Sequence, residues 1–519
     1  MDEKTILEGV FRKEGGRLVV RTRFGENPEE FDVDVEELFE DLENQGVRVS
    51  VEPVSWGKPI FEPGRWEASP AEEVDPDYQH ASVEARERFL DMKFGMMVHW
   101  GIYSVLGIPE SWPANRTRCD PSFLDVYYTL WQVFDPTEFD ADEWADLAVR
   151  AGMQFFQITT KHHDGFSMYD TKTKTIARKR EGPAGCPTQG GGVGAVINVE
   201  AHFSIMETRF GRDVVGELVN AFRKRHLGVG FYFSHIDWND PNFRWDPANR
   251  SFDPNYNPRD NPKEWKAFVE REREQLRELF TNYGPIDQVF FDGTWYGLAW
   301  KEFVEIVKMC RRLQPHCMFS DRGLGVYGDF TSPERWIPSS SDDERTRGMP
   351  WQVCDPIHTS WAYLPGDNYK PTDVLLRNFV DAVSKGGTYV FAIAPMSNGK
   401  FPEKTVEVLE FMGDWLGKNG EAIYATRRWI TPKLADRDVF FTRSKDGSKV
   451  YVIHFGELPA RLEVPGIRPV EGSRVVLLGT RDDVAWKVEG DELSLELTEE
   501  QRRSVAGEVA VSFRVVVKE

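Results

Sequence analysis

The chain of 519 residues is predicted to fold as a (β/α)8 TIM-like barrel followed by a C-terminal antiparallel β-sandwich, with an N-terminal extension. Between residues 94 and 394, short and almost continuous apolar runs alternate with amphipathic stretches, a pattern typical of buried parallel strands and their connecting helices. Most of these runs end in polar side chains, as expected where all strand ends converge on one mouth. After residue 426, apolar and polar residues alternate, which predicts half-buried antiparallel strands.

Composition and charge exclude several classes of protein. The 85 Asp and Glu residues outnumber the 64 Lys and Arg residues, which gives a formal net charge of −21. Nucleic acids and anionic membranes select basic surfaces, so neither is expected as a partner, whereas a homo-oligomer is compatible with the sequence. The five cysteines are scattered and no signal peptide is visible. We therefore expect a cytoplasmic protein without a disulfide framework.

The predicted domains follow in order along the chain. Residues 1–80 are acidic and weakly periodic, and they are expected to form an extension with a few strands and a short helix near residues 36–44. The barrel is assigned to residues 81–427. Its predicted strands lie in the runs Phe94–Trp100, Phe155–His163, Val229–His235, Gln288–Gly293, Cys317–Arg322 and Thr388–Ala394. A doubly wound sheet is the structural alternative, and the barrel is favoured because so many runs end in polar residues.

Helix signals appear between these runs. Asp140, with Glu143 three residues later, is predicted to begin one helix, and Asp213 is predicted to begin another. Gly182–His202 interrupts one β-α unit. Because it lacks the glycine spacing of a phosphate-binding loop, it is predicted to be a surface loop.

Residues 428–519 are assigned to the β-sandwich. Two alternating segments, Val439–Arg443 and Lys449–His454, flank Lys445-Asp446-Gly447, which is a typical hairpin turn. The last alternating segment is Val509–Val517. The whole region is therefore predicted to consist of antiparallel strands.

Polar residues at the predicted strand ends are the candidates for chemistry. Asp292 is the strongest, because it follows a buried run directly and precedes Gly293, which would let a ligand approach; a helix N-cap is the structural alternative. His99, His162 and His163 could ligate a metal together with carboxylates. They could instead bind a sugar, since neutral imidazoles hydrogen-bond hydroxyls while indoles stack on the apolar face. The absence of an H-x-H pair favours the sugar, and no metal or cofactor is predicted.

Several segments resemble those of one enzyme family. The segment Lys93-Phe-Gly-Met-Met-Val-His-Trp-Gly-Ile-Tyr-Ser104 is similar to the "KFGxFxHWGxYS" opening of family 29 glycoside hydrolases, the α-L-fucosidases. Further matches are Glu143–Ala148, Thr160–Phe166, Gly211–Leu218 and Asn419–Tyr424. The resemblance runs from Arg86 to Arg427, and it implies a barrel followed by a β-sandwich and retaining hydrolysis of α-L-fucosides without a cofactor.

The resemblance also implies roles for individual residues. Asp292 matches the nucleophile, and Glu334 lies in a segment similar to the "GDFxTPE" stretch that carries the acid/base in one branch of the family. His99, His162 and His163 match substrate-binding positions of the family. Arg322 also matches one, because it stands where the family has the arginine of an "NDR" triplet. The remaining predicted substrate contacts are Trp100, Glu110, Trp112, Tyr232, Trp295 and Trp351.

Gln352 departs from the family pattern, because the family often has Glu there and some members place that carboxylate near the site.

The expected function is exo-hydrolysis of terminal α-L-fucosides from glycans or oligosaccharides by double displacement. Glu334 would be kept protonated by a drier surround, with its carboxyl about 5–5.5 Å from that of Asp292. Glu110 and Asp329 are the alternative acids. The alternative functions are hydrolysis of another sugar, such as an α-L-galactoside, and glycan binding by an inactive barrel.

Overall fold

The computed structural model describes two compact units, Met1–Glu67 and Ala68–Glu519. The described residues are 74–115, 121–181, 195–243, 245–246, 251–252, 261–293, 300–322, 324–340, 343–346, 348–434 and 436–518, with the backbone of 10–14, 17–22 and 31–34. In the first unit, β1 (Val10–Glu14), β2 (Arg17–Thr22) and β3 (Phe31–Asp34) form an antiparallel sheet. The helix predicted near residues 36–44 lies outside the described residues, and the domain boundaries after residues 80 and 427 stay predictions.

The second unit alternates strands and helices and then consists mainly of strands. Its strands are β4 (Phe94–Val98), β5 (Phe155–Lys161), β6 (Thr175–Arg180), β7 (Val196–Ala201), β8 (Gly228–Ser234), β9 (Trp245–Asp246), β10 (Ser251–Phe252), β11 (Gln288–Asp292), β12 (Met318–Phe319), β13 (Gln352–Pro356), β14 (Thr388–Ile393), β15 (Thr426–Leu434), β16 (Val439–Ser444), β17 (Lys449–Phe455), β18 (Arg461–Pro465), β19 (Val475–Leu477), β20 (Asp482–Glu489), β21 (Glu492–Glu496) and β22 (Ala510–Val516). Its helices are α1 (Val83–Met92), α2 (Trp112–Asn115), α3 (Pro121–Tyr127), α4 (Ala141–Arg150), α5 (Val214–Lys224), α6 (Pro262–Asn282), α7 (Trp300–Leu313), α8 (Thr372–Ser384), α9 (Glu403–Asn419) and α10 (Glu499–Ser504).

Seven parallel strands form a curled sheet in the order β12-β11-β8-β5-β4-β14-β13. Residues 330–334 join its two edges, because they form parallel bridges to Ser320 beside β12 and to Trp351 and Cys354 at β13. This segment takes the place of a sixth barrel strand, and the chain then visits all eight positions in ring order. The predicted (β/α)8 barrel is confirmed, and the doubly wound alternative is wrong.

Local signals account for the helix starts. Asp140 accepts a hydrogen bond from the Glu143 N–H at 3.1 Å, and the Asp213 carboxylate caps α5 in the same way. Both predicted N-caps are confirmed. The surface loop predicted over Gly182–His202 is partly wrong, because β7 pairs with β6 as a hairpin there; residues 182–194 of that segment lie outside the described residues.

The C-terminal strands form one antiparallel sheet in the order β15-β16-β17-β22-β19-β20-β21-β18. Strand β20 pairs with β19 through its first residues and with β21 through Ala485–Glu489, so the sheet folds over on itself. Apolar side chains from both layers, including Val452, Phe513, Leu462 and Leu493, share a single core. The predicted antiparallel β-sandwich is therefore confirmed.

Three buried glutamines cross the interior of the barrel. The Gln157 amide donates from Nε2 to Gln352 Oε1 at 3.1 Å, and Gln352 donates from Nε2 to Gln288 Oε1 at 3.1 Å. All three side chains are 0% exposed, and Gln288 and Gln352 are the first residues of their strands. Gln352 thus lies at the N-terminal end of the barrel. It is therefore distant from the carboxyl ends of the strands, where Asp292 lies.

We predict that Gln352→Glu destabilises the protein in a pH-dependent way. A protonated glutamic acid can replace both hydrogen bonds, whereas a carboxylate is buried without a counter-charge, at a cost of about 3 kcal/mol near neutral pH. Burial raises the pKa of such a group in the folded state, so stability falls as pH rises above the unfolded value of about 4.3. Thermal midpoints measured from about pH 4.5 to about pH 8 check this result. The exposed Gln79→Glu is the matched control, and equal midpoint losses across that range would contradict the expectation.

Two further observations concern the protein's surroundings. No helix in the described part of the chain is both long enough and apolar enough to cross a bilayer. Cys310, Cys317 and Cys354 are buried free thiols. The cytoplasmic location and the oligomeric state stay predictions.

Candidate active site

Asp292 lies buried at the carboxyl end of β11, and protein donors surround its side chain. Oδ1 accepts hydrogen bonds from the Gly293 N–H at 2.9 Å and from Arg322 Nη1 at 3.1 Å. Oδ2 accepts from the Tyr232 hydroxyl at 2.5 Å and lies 3.5 Å from His163 Nε2. Burial alone would raise the pKa of Asp292, but the hydrogen bond of His163, the charge of Arg322 and the Tyr232 hydroxyl hold it well below its usual range. The carboxylate is therefore ionised.

The backbone after Asp292 is fixed by a residue that sequence analysis did not select. His235 donates from Nε2 to Gly293 O at 3.0 Å, and its backbone N–H donates to Asp292 O at 3.3 Å. Burial lowers the pKa of His235 to about 3, so the ring is neutral. Gly293 has φ 114°, and a Cβ there would lie 2.5 Å from Ile236. This glycine is needed for its conformation and close packing, and not only for ligand approach as predicted.

Arg322 joins the two predicted catalytic carboxylates. Its Nη1 binds Asp292, while Nη2 donates to Glu334 Oε2 at 2.7 Å and Nε donates to Ser332 Oγ at 2.9 Å. Burial lowers the pKa of Arg322, but the charges of Glu334 and Asp292 raise it well above its usual range. One planar guanidinium spans both groups, which places their bound oxygens within about 8 Å of each other. This upper limit is compatible with the separation of about 5–5.5 Å expected between the two carboxyl groups of a retaining enzyme. That separation stays a prediction.

Glu334 sits at the mouth of the barrel on the segment that replaces the sixth strand. Its side chain is 38% exposed and ion-paired with Arg322. The drier surround predicted for this residue is wrong, because more than a third of the side chain is open to solvent and its Oε2 is bound by a charged guanidinium.

Asp329, one alternative acid, is fully occupied by structural contacts. Its Oδ2 accepts from Arg311 Nη2 at 2.5 Å and from the Phe319 N–H at 2.8 Å, and its Oδ1 accepts from the Ala81 N–H at 3.0 Å. The hydrogen bonds of His80 and the charge of Arg311 overcome burial and lower the pKa of Asp329. A carboxylate engaged in this way is a poor proton donor, so its role is to tie segments together.

Glu110, the other alternative acid, is buried beside a loop of the mouth. Its Oε1 accepts from the Ala362 N–H at 2.7 Å and lies 3.4 Å from Ser360 Oγ. Burial raises the pKa of Glu110 to about 7. The carboxylate holds the loop that carries Trp361, whose ring centroid is 5.3 Å from that of His99. Trp361 was missed by sequence analysis, and the predicted sugar contact of Glu110 stays a prediction.

The three predicted histidines come together next to Asp292. Ring centroids are 5.7 Å apart for His99 and His162 and 4.6 Å apart for His162 and His163, and Tyr232 stacks on His162 at 5.4 Å. The Ser111 hydroxyl is 2.6 Å from His162 Nδ1. Burial lowers the pKa of His99 to about 3 and that of His162 well below its usual value. Neutral imidazoles both donate and accept hydrogen bonds, as sugar hydroxyls require.

Aromatic rings form the wall beside these histidines. Trp112, predicted from sequence, lies 5.7 Å from His163 and 5.5 Å from Trp238 between ring centroids. Trp238 itself is 4.9 Å from His163 and was not predicted. Its position after the third barrel strand is a signal that could have identified it. Among the described residues, no three His, Cys, Asp or Glu side chains are grouped to hold a metal ion.

Two predicted substrate contacts are corrected by the structure. Trp100 is 1% exposed and donates from Nε1 to Met396 O at 3.1 Å, since the residue after His99 turns to the opposite side of the strand. Trp351 is 2% exposed, precedes β13 at the N-terminal end of the barrel and packs on Gly387. Neither indole is placed to contact a sugar at the mouth. Trp295 lies outside the described residues.

Comparisons with known proteins agree with this geometry. The family model described as alpha-L-fucosidase matches residues 67–186 and 198–421. The chain is 26% identical over 483 residues to the tissue alpha-L-fucosidase of Homo sapiens, covering 86% of this chain and 93% of that protein. The alpha-L-fucosidase isoenzyme 1 of Paenibacillus thiaminolyticus is similar in structure, with a TM-score of 0.67 and 26% identity over 84% of this chain and 100% of that one. A GH29 alpha-L-fucosidase of Bacteroides thetaiotaomicron, solved as a trapped covalent intermediate, shares the fold, with a TM-score of 0.67 and 23% identity over 88% and 99% of the two chains.

Proposed function

The chain belongs to the α-L-fucosidase family of glycoside hydrolases, and we propose that it removes terminal α-L-fucose from glycans or oligosaccharides by double displacement. The proposed mechanism rests on one observation. An ionised carboxylate, Asp292, and a more exposed carboxyl, Glu334, share one guanidinium at the mouth of the barrel. Two carboxyl groups in different environments are what retaining hydrolysis requires.

Asp292 is the proposed nucleophile. Its low pKa keeps it ionised, and attack on the anomeric carbon forms an ester bond to the sugar while the bond to the leaving oxygen breaks. The Tyr232 hydroxyl and the Gly293 N–H hold its oxygens at 2.5 Å and 2.9 Å and fix the carboxylate for attack. The covalent intermediate trapped in the Bacteroides enzyme, which has the same fold, supports this step.

Glu334 is the proposed acid and base. It gives its proton to the leaving oxygen in the first step. In the second step it takes a proton from water, which attacks the anomeric carbon while the bond from that carbon to the Asp292 oxygen breaks and the carboxylate is released. Arg322 links the two steps through charge. While Asp292 is ionised, the guanidinium already has one negative partner; when Asp292 is esterified, the same guanidinium stabilises the Glu334 carboxylate.

The surrounding residues suit fucose. His99, His162 and His163 are proposed to bind its hydroxyl groups, and burial keeps the rings of His99 and His162 neutral. Phe290 stacks on Tyr232 with centroids 5.6 Å apart, which provides an apolar floor for the methyl group at C5. In an α-L-galactoside, a hydroxyl would face that floor and lose its hydrogen bonds to water.

The experiment compares hydrolysis of 4-nitrophenyl α-L-fucoside and α-L-galactoside. The fucoside is expected to have a kcat/KM roughly 10²-fold higher, the usual limit of discrimination against an added hydroxyl. Proton NMR should show α-L-fucose as the first product, because two displacements restore the configuration. A first product of β configuration would contradict double displacement. Binding without turnover would favour the inactive glycan-binding barrel.

A further inference from the structure

The residue that follows Glu334 adopts a strained backbone conformation at the mouth. Arg335 has φ 61°, a left-handed value that non-glycine residues rarely adopt, and such strain concentrates at functional sites. Its backbone N–H donates to Cys354 O at 3.0 Å. Strand β13 therefore fixes the position from which the exposed Arg335 side chain leaves the backbone.

The guanidinium of Arg335 is held in place by two further contacts. Its Nη2 donates to Thr359 O at 3.0 Å, and its Cζ lies 5.0 Å from the ring centroid of Trp361. Trp361 is itself anchored, because Glu110 accepts from the neighbouring Ala362 N–H at 2.7 Å. The arginine and the indole are thus preorganised, which lowers the entropy cost of binding to them.

These two side chains lie where a leaving group would lie. If Glu334 contacts the glycosidic oxygen as proposed, then Arg335, the next residue on the same segment, is within reach of the group on the far side of that oxygen. The ring of Trp361 extends from Arg335 to His99, which is a proposed fucose contact. The pair therefore connects the sugar site to the exposed rim.

We propose that Arg335 and Trp361 form a subsite for the leaving group, and that this subsite selects leaving groups with an anionic substituent, a carboxylate or a sulfate ester. The inference rests on the proposed function. Arginine presents a rigid set of N–H donors that matches planar and tetrahedral oxyanions, and stacking on an indole keeps this set in one orientation. Because the whole chain has a formal charge of −21, any preference for anions has to come from such a local contact.

The test uses aryl α-L-fucosides that differ only in a remote substituent. The 3-(carboxymethyl)phenyl fucoside is compared with its neutral carbamoylmethyl analogue, and the 3-(sulfooxymethyl)phenyl fucoside with its hydroxymethyl analogue. At low salt, the unmodified protein is expected to have a kcat/KM roughly five- to tenfold higher for at least one anionic partner, mainly through KM. The ratio should shrink at high salt. Because it compares two substrates in one preparation, it does not depend on the fraction of folded protein.

Arg335→Met is expected to bring the ratio close to one, and Arg335→Lys to retain part of it, since charge remains without the planar donors. Arg345→Met is the matched control, because this arginine lies over Trp336 in the same loop region and pairs with Asp343 at 2.7 Å. It should keep the unmodified ratio. The two substrate pairs show whether carboxylate or sulfate is preferred. A ratio near one in the unmodified protein, or an unchanged ratio in Arg335→Met, would overturn the subsite. Failure to hydrolyse the neutral fucosides would instead overturn the proposed function.

Discussion

Replacement of Asp292 by glycine is expected to lower hydrolysis of an aryl α-L-fucoside by roughly 10⁴-fold or more, because it removes the group that attacks the anomeric carbon. The fold should persist, since Arg322 keeps its bonds to Ser332 and Glu334. Stopped assays with 4-nitrophenyl α-L-fucoside measure the loss, and circular dichroism checks the fold. Activity within tenfold of that of the unmodified protein would show that Asp292 is not the nucleophile.

In the presence of azide, the Asp292→Gly variant is expected to form a product that identifies the missing carboxylate as the nucleophile. The small anion fits where the carboxylate was and attacks the anomeric carbon from the same face, so Asp292→Gly is expected to form β-L-fucosyl azide. If azide acts with Glu334→Gln, it replaces water at the glycosyl-enzyme and gives the α anomer. The two variants therefore serve as controls for each other. Identical anomers from both would show that the two roles are wrongly divided.

Replacement of Glu334 by glutamine is expected to slow hydrolysis of a fucosyl disaccharide by roughly 10²–10⁴-fold, the usual worth of a positioned acid. Formation of the glycosyl-enzyme from an aryl fucoside with a nitrophenolate leaving group should change far less, because that leaving group needs no proton. Pre-steady-state release of nitrophenolate, compared with steady-state hydrolysis of the disaccharide, separates the two effects.

Glu110→Gln is the control for this assignment. Because a glutamine oxygen can still accept from the Ala362 N–H, Glu110→Gln should keep the loop of Trp361 in place and leave the ratio of the two activities close to that of the unmodified protein. If Glu110→Gln shows the leaving-group dependence and Glu334→Gln does not, then Glu110 is the acid.

Sequence patterns predicted those parts of the barrel that depend on local composition. Strands such as β4 and β8 are almost continuous apolar runs, and Asp292 stands at the end of another, so periodicity and the resemblance both identified them. Residues 330–334 were not predicted as a strand, because they contain no such run and pair only through bridges that depend on their neighbours.

The predictions that failed depended on contacts between distant parts of the chain. Trp100 and Trp351 belong to segments that match the family, but their burial follows from strand alternation and from the end of the barrel on which they lie. The link from Arg322 to Asp292 and Glu334 joins residues 30 and 12 positions apart. No spacing rule predicts which side chains one guanidinium will span.

The bridges that hold residues 330–334 have a consequence for the catalytic cycle. Glu334 must serve two oxygen atoms in turn, that of the leaving group and that of water, and these do not occupy the same point. A residue inside a full hydrogen-bonded ladder could move only if several neighbours moved with it. The segment that carries Glu334 is hydrogen-bonded to β13 through the Gln352, Cys354 and Arg335 N–H groups, so its backbone is held in place. The two oxygen atoms therefore have to be reached by rotation of the Glu334 side chain, which is 38% exposed. The barrel thus combines a buried, fixed nucleophile with a proposed acid whose side chain, and not its backbone, can adjust.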